Sequence, residues 1–548
     1  MAYWKAPPTR AATVPSRRSE PRTHTLGAAT ARRPRPSATN IPSQTQLSGG
    51  HHNKGLQQPR YRTVLTILKQ ALDAHRFVCV MEVLPRQSAA HVAALGKILQ
   101  RGHFAGGLLV PSFADRVGPH SDPGPLQGAE ALGCPTSSLL HFSGKDRERS
   151  DLLNQLGLMK ARGLKQLLLL TGDRLPGHCP GQAPVRYLES VPALQIVRES
   201  CPDWLLGAAL NPFKYLEEEA EAQYLKARKK QRAGADFFTL QLGYDAARHL
   251  EAQQWMHAQP HSTPMLACVM RLTAQRAAAL QSVPGIVVTD SMRQMLDSET
   301  RLSQDDADTR SLKRLALQIL GLQWMGYAGI HLSGVHTLEE LLLLEQHLTA
   351  LRERVSSLDA WHSEWRASWQ LPGGPEVCFT PDIDVRALGR PGARATDSEH
   401  RRYRRLATVH RLFFQRGSLL SRAFGWLVTR RIWKTTIGGA ALHAAERAIK
   451  RPLVGCDTCG SCRLQDTVYV CPETCPKGLA NGPCGGTYLN RCEFGDRECI
   501  HSVKYRLAKS ADRLPMLAQT LIPCISADDR HRSSWPQWFE ADASKPED

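Results

Sequence analysis

Eight of this chain's fifteen cysteines crowd into 44 residues, in the order Cys456-x₂-Cys459-x₂-Cys462-x₈-Cys471-Pro-x₂-Cys475-Pro, then Cys484, Cys492 and Cys499. Eight thiolates suffice for two tetrahedral metal sites or two four-cysteine iron–sulfur clusters. The leading triplet and the Cys-Pro pairs lean toward iron–sulfur, because structural zinc more often uses two separated Cys-x₂-Cys pairs. The other seven cysteines (Cys79, Cys134, Cys179, Cys201, Cys268, Cys378, Cys524) are scattered. No apolar leader opens the chain, so a reducing compartment and metal binding are expected rather than disulfides.

A second set of reactive types lies at the ends of short apolar runs. Residues 166–173 read Gln-Leu-Leu-Leu-Leu-Thr-Gly-Asp, a run closed by Gly172 with the Asp173 carboxylate just beyond it. So short a run reads as a strand buried on both faces, as in parallel sheets, although Asp173 could also be a plain helix cap. Comparable runs occur at 77–83, 107–110, 138–142, 204–210, 237–242, 264–270 and 327–332, with helical patterns between them. Eight strand–helix units over about 270 residues predict a (β/α)₈ TIM barrel rather than an open doubly wound sheet. Such a barrel gathers its strand ends on one rim, which would bring together Glu82, His141, Asp173, Asn211, Gln241 and His331.

Charge is unevenly placed over the 548 residues, whose formal net is +19. Residues 1–60 hold ten Lys/Arg against Glu20, and residues 398–455 hold thirteen against Glu399 and Glu446. Taking +9 and +11 from +19 leaves about −1 for the body. The expected organisation is a disordered basic tail (1–60), a barrel (61–355), a helical linker (356–397) and a helical plus cysteine-rich domain (398–548). The apolar stripe Leu406, Val409, Leu412 and Phe413 should pack against the barrel or the next domain. No apolar run reaches the ~18 residues of a membrane span, so a cytoplasmic protein is expected, with organelle targeting by the Arg-rich tail left open. Nucleic acid is disfavoured, since the cysteine segment lacks the paired histidines of zinc fingers.

The run from Cys471 to Gly486, with Cys492-Glu-Phe-Gly-Asp-Arg-Glu-Cys499 and Arg532-Ser-Ser-Trp, resembles the C-terminal domain of certain methylenetetrahydrofolate reductases. Met81-Glu-Val-Leu-Pro85, His141-Phe-Ser-Gly-Lys-Asp-Arg147, Leu170-Thr-Gly-Asp173, Ala208-Ala-Leu-Asn-Pro212 and Gly234 to Asp245 are similar to that family's flavin-dependent barrel. The resemblance implies flavin-dependent reduction of 5,10-methylenetetrahydrofolate to 5-methyltetrahydrofolate. It makes Glu82 the general acid, Asp173 the charge between flavin and pterin, and Gln241 the pterin's hydrogen-bonding amide. It places His141, Thr171, Gly172, Asp173, Asn211 and Lys230 around FAD or FMN, with a tetrahydrofolate as substrate. Electrons would come from NAD(P)H or, through the cysteine domain, from a redox protein, and a homo-oligomer is compatible. The sequence departs from the family at Pro85-Arg86, Leu240 and Ser143-Gly144. The alternative reading is a flavin/iron–sulfur electron-transfer or accessory protein without folate reductase activity.

Overall fold

The computed structural model describes residues 67–543, apart from 84–88, 116–123, 134–135, 175–186, 382–391 and 416. The basic tail, Pro85, Arg86, Cys134 and Cys179 lie outside the described residues. Eight parallel strands form where the apolar runs stand: β1 Val78–Val83, β2 Gly107–Phe113, β3 Leu139–Ser143, β4 Gln166–Leu170, β5 Leu205–Leu210, β6 Phe237–Leu240, β7 Met265–Met270 and β8 Gly329–Ser333. Each pairs with the next, and β1 pairs with both β2 and β8, closing the barrel. A two-residue strand, His103–Phe104, adds a small antiparallel edge beside β2.

Strand periodicity divides the side chains of the barrel. Val78, Val80, Val110, Leu139, Leu168, Leu205, Phe237 and Leu266 fill its interior, and the helix Ile67–Asp73 packs Leu68, Ala71 and Leu72 into the same cluster. Gly207 is required there, since a Cβ would stand 2.4 Å from the Phe237 ring. The opposite parity, including Cys79, Met81 and Val83, packs against the outer helices. Further along most strands the inner face turns polar, at Glu82, Ser112, His141, Thr239, Cys268 and His331, and this change of chemistry along one strand builds the site.

Three helices, Ala274–Leu280, Asp290–Leu302 and Gln304–Trp324, fill the connection between β7 and β8. The segment expected as a linker begins with a helix, Leu358–Ser368, whose Trp361 and Trp365, with Trp369 beyond it, are buried in the barrel's outer core. Trp361 Nε1 donates to the Leu317 carbonyl at 2.7 Å. After 391 come three basic helices, Asp397–Phe413, Leu419–Val428 and Thr436–Val454, and then the irregular cysteine segment. The stripe on the first of these helices is only partly packed. Val409 and Leu412 stay 49% and 41% exposed, and no residue of that helix is buried.

Residues 63–548 form one compact unit, and the cysteine segment is part of it. It rests on the helix Glu217–Arg232, which follows β5. That helix places three glutamates in its first turn and cations in its last, which suits the helix dipole, but many of these charges are buried. Glu219 accepts from the Asn490 amide, Gln223 donates to the Cys484 carbonyl, and Lys226 donates to the carbonyls of Gly482 and Pro483. Burying such charges is made tolerable by partners of this kind. No helix among the described residues is long and apolar enough to cross a membrane.

Candidate active site

Glu82, at the carboxyl end of β1, pairs in register with Ser112 of β2 and is half-buried. Below it lies a buried polar chain that crosses the barrel. His141 Nε2 and Ser112 Oγ are 2.6 Å apart, Ser112 Oγ and His331 Nε2 3.2 Å, and His331 Nδ1 and Cys268 Sγ 3.3 Å. The two imidazoles lie 5.7 Å apart. Burial, then the neighbouring His331, lowers the His141 pKa to about 3, and burial lowers His331 as well. Both rings are therefore neutral near pH 7, and Glu82 is the charge this interior faces.

The opposite side of the rim is built by β4 to β6. Gly172, at φ +88°, turns the chain out of β4, and a Cβ there would lie 2.2 Å from Ser143 Oγ. Asp173 follows. Its side chain stays accessible to solvent, yet close packing and then the Glu493 charge raise its pKa above the ordinary carboxylate value. Lys477 and Lys145 pull the other way. Gln241, just past β6, takes the Leu242 amide on Oε1 at 3.0 Å. Thr239, two residues before it on the same face, has a buried Oγ1 with no partner among the described residues.

The residues singled out from sequence divide into two kinds. The Glu82 carboxylate, the Asp173 carboxylate and Gln241 Nε2 have no hydrogen-bond partner among the described residues. The others are already engaged. Thr171 Oγ1 stands 3.4 Å from Ser190 Oγ, and the Gly172 carbonyl accepts from Lys477 at 2.8 Å. Asn211 Nδ2 donates to the carbonyls of Gly285 and Gly485 at 2.9 and 2.8 Å. Lys230 is buried, donates to the Ala209 carbonyl at 2.5 Å, and is lowered by burial and the nearby Lys226 charge to about 7.

Sequence reasoning missed the cover over this rim. Glu189 accepts from the amides of Ala480 and Asn481 at 3.0 Å and pairs with Lys226 at 2.8 Å. Lys477 is buried against Gly172, Glu493 and the Tyr187 ring. Cys268 and Ser112 were also missed as members of the polar chain. Both lie on the inner face of apolar runs, where alternation could have found them.

The eight clustered cysteines sort into two sets. Cys456, Cys459, Cys462 and Cys471 share one small cavity with Glu446 and Lys450. Cys475, Cys484, Cys492 and Cys499 face one another beside Lys477 and Glu493. All eight are free thiols. Burial holds Cys484 up to about 12 and Cys456 up to about 11. Among the described residues no group of three or more His, Cys, Asp or Glu side chains stands in metal-holding geometry.

Residues 132–339 match the family model described as methylenetetrahydrofolate reductase, and residues 439–527 match that described as the methylene-tetrahydrofolate reductase C terminal. No curated protein matches the chain. Among solved structures, an uncharacterized protein from Clostridium thermocellum, described as binding two copies of 5-methyl-5,6,7,8-tetrahydrofolic acid, aligns with 11% identity and a TM-score of 0.38. The alignment covers 53% of this chain and all of that one, too slight a likeness to carry an argument about function. The two family matches fall on the barrel and on its cysteine-rich cover, in chain order, and the chain belongs with the methylenetetrahydrofolate reductases, joining that family's barrel to its C-terminal domain.

Proposed function

We propose that the barrel reduces 5,10-methylenetetrahydrofolate to 5-methyltetrahydrofolate with a flavin as its resident cofactor. The observation carrying this reading is the division just described. Three head groups suited to the reaction, the Glu82 and Asp173 carboxylates and Gln241 Nε2, have no hydrogen-bond partner among the described residues and stand around one rim, while their neighbours are engaged. A polar ligand at the mouth fits that arrangement, and so does the orphaned Thr239 hydroxyl on the inner face beneath Gln241. The glycine turn at Gly172 packs closely on Ser143 and Lys145, which fixes where the loop carrying Asp173 leaves β4. His141, Thr171, Gly172 and Asp173 would border the flavin. Asn211 and Lys230 would have to leave their present carbonyl partners to join them.

When bound, the flavin supplies the hydride. Gln241 Nε2 donates to the pterin edge, which orients the folate. Glu82 delivers a proton to a nitrogen of the imidazolidine ring as that ring opens, leaving an exocyclic iminium. The Asp173 carboxylate stabilises that cation.

The cysteine sets match iron–sulfur chemistry in donor type and number, with zinc the alternative, but among the described residues their sulfurs do not converge on a metal-holding geometry. Absorption spectra of anaerobically purified protein, with and without methylenetetrahydrofolate, test the reading. Flavin bands that bleach on reduction and return on adding the folate support it. A colourless protein that takes up neither FAD nor FMN overturns it. Flavin that no folate reoxidises would favour the accessory electron-transfer reading.

A further inference from the structure

The helix Leu419–Val428 is packed the wrong way round for a water-soluble surface. Its small and polar residues Ser421 and Gly425 face inward with Val428, and a Cβ at Gly425 would stand 2.8 Å from the Phe539 ring. Phe424 packs inward against Trp535 and Phe539, but four other large residues point out: Leu419 is 79% exposed, Trp426 63%, and Leu420 and Leu427 nearly half. The stretch continues into the turn Arg431–Lys434, where Ile432 is 64% exposed, and to Ile437, 85% exposed, at the start of Thr436–Val454. These pieces are joined. Trp433 Nε1 donates to the Leu427 carbonyl at 2.7 Å, and Gly438 approaches the Ile432 carbonyl so closely that a Cβ would clash. Isolated exposed leucines are ordinary, but a run of six large apolar side chains marks an interaction surface.

Charge decides what meets it. Arg422, Arg430, Arg431 and Lys434 are exposed around the apolar residues, with the Arg430 guanidinium 3.7 Å from the centre of the Trp426 ring. Lys434 has one partner, Glu540. The two acids of residues 398–455 are turned elsewhere. Glu399 pairs with Arg506, and Glu446 is buried with Lys450 and Ser534. A second copy would bring another +11 to this face and the N-terminal sixty residues another +9, so like charge opposes both. The occupant is therefore anionic.

We propose that this face binds an anionic phospholipid surface. The outward residues are aliphatic chains and an indole rimmed by guanidiniums, and the apolar ones carry no side-chain acceptor. A protein interface asks for about one hydrogen bond per 100–200 Å². A bilayer asks only for apolar depth, a tryptophan at the headgroup level and a positive rim. The helix lies in the interface and does not cross it.

The test is co-sedimentation of the full chain with vesicles of phosphatidylcholine alone and of equal parts phosphatidylcholine and phosphatidylglycerol. Wild type should pellet with the anionic vesicles only, and less so as salt rises. Ile437→Ser and Leu419→Ser, at the two most exposed positions, should each weaken pelleting, and Leu419→Glu with Trp426→Glu should abolish it. Arg422→Gln and Arg431→Gln should each weaken it about fivefold, the ratio that ~1 kcal/mol per cation corresponds to. Melting temperature and elution volume should stay at wild-type values in the serine variants. Wild type remaining in solution with anionic vesicles at low salt overturns the proposal. So does pelleting that is indifferent to the serine variants, or a dimer that the Trp426 change disperses, which would give the face to a second copy.

Discussion

Lys477 Nζ donates a 2.8 Å hydrogen bond to the Gly172 carbonyl, fastening the cysteine segment to the strand end that carries Asp173. The same ammonium pairs with Glu493 at 2.5 Å, and the two side chains are only 2% and 1% exposed. Glu493 in turn accepts from the Arg174 amide and from the Cys484 thiol. One ion pair thus touches both the proposed catalytic rim and a proposed metal ligand.

Lys477→Met should therefore destabilise the protein by about 3–5 kcal/mol, because it strands a buried carboxylate. Adding Glu493→Gln should recover part of that loss, since the stranded charge is removed. Urea unfolding of the two variants measures it. A single variant as stable as wild type would show that the pair holds nothing together.

Glu82→Gln should slow the folate half-reaction by ~10²–10⁴-fold, the usual worth of a positioned proton donor. The amide keeps size and polarity, so flavin uptake and flavin reduction should stay near wild type. Stopped-flow reoxidation by methylenetetrahydrofolate separates the two. A wild-type rate would remove Glu82 from the role of acid.

Acid should weaken the attachment of the cysteine segment to the barrel. Burial alone would raise Glu189, but Lys226 and the amides of Asn481 and Ala480 outweigh it and hold its pKa near about 2, against 4.5 ordinarily. A depressed carboxylate gives stability that is present above its unfolded pKa and lost as pH falls through the folded one. The window is thus about 4.5 down to about 2, and the worth is on the order of 3 kcal/mol at ~1.4 kcal/mol per unit. Glu189→Gln should remove this part of the pH dependence. Unfolding free energies across that range, variant against wild type, provide the check.

Gly285→Ala should loosen the same attachment from another side. Gly285 sits at φ +80°, and a Cβ would lie 2.2 Å from the Gly485 carbonyl oxygen and 3.0 Å from Asn211 Nδ2. The left-handed conformation alone costs an alanine about 1–2 kcal/mol, before the clash. Thermal unfolding should fall by several degrees, and a melting temperature equal to wild type would show that this approach does not hold the two segments together.

Metal analysis of anaerobic protein distinguishes the two chemistries of the cysteine sets. Iron with near-equal labile sulfide is expected. Cys459→Ser should lose the metal of its own set, and Cys484→Ser that of the set beside Lys477, with the other set retained in each case. Zinc without sulfide would make both sets structural. Finding no metal would remove both readings.

The barrel was legible because burial on both faces leaves a plain mark: every apolar run became a strand, from Val78–Val83 to Gly329–Ser333, with ends shifted by a few residues. The polar ends were legible for the same reason, since they interrupt those runs. What sequence concealed was contact between distant segments. The helix Glu217–Arg232 reads as a solvated, charged helix, and Lys230 as a hand for a phosphate, because charge in a helix ordinarily faces water. Here the carbonyls of residues 482–484 meet that helix some 250 residues later in the chain, and no local pattern records it. The three tryptophans after Leu358 stand at i, i+4 and i+8, a helical stripe that local spacing did announce, but they sit in a short polar stretch before a Gly- and Pro-rich run, and the whole reads as linker.

The cover over the rim also orders events during synthesis. Chains emerge from the ribosome amino end first, so the barrel is complete before residues 477–493 exist. Until then Asn211, Lys214 and Lys226, which in the finished protein all give their protons to carbonyls of residues 482–487, must be kept in water or on a ribosomal or chaperone surface. A ribosome that stops after the barrel leaves these groups facing solvent above an apolar interior. The barrel's mouth reaches its final form only once residues 482–487 have been made.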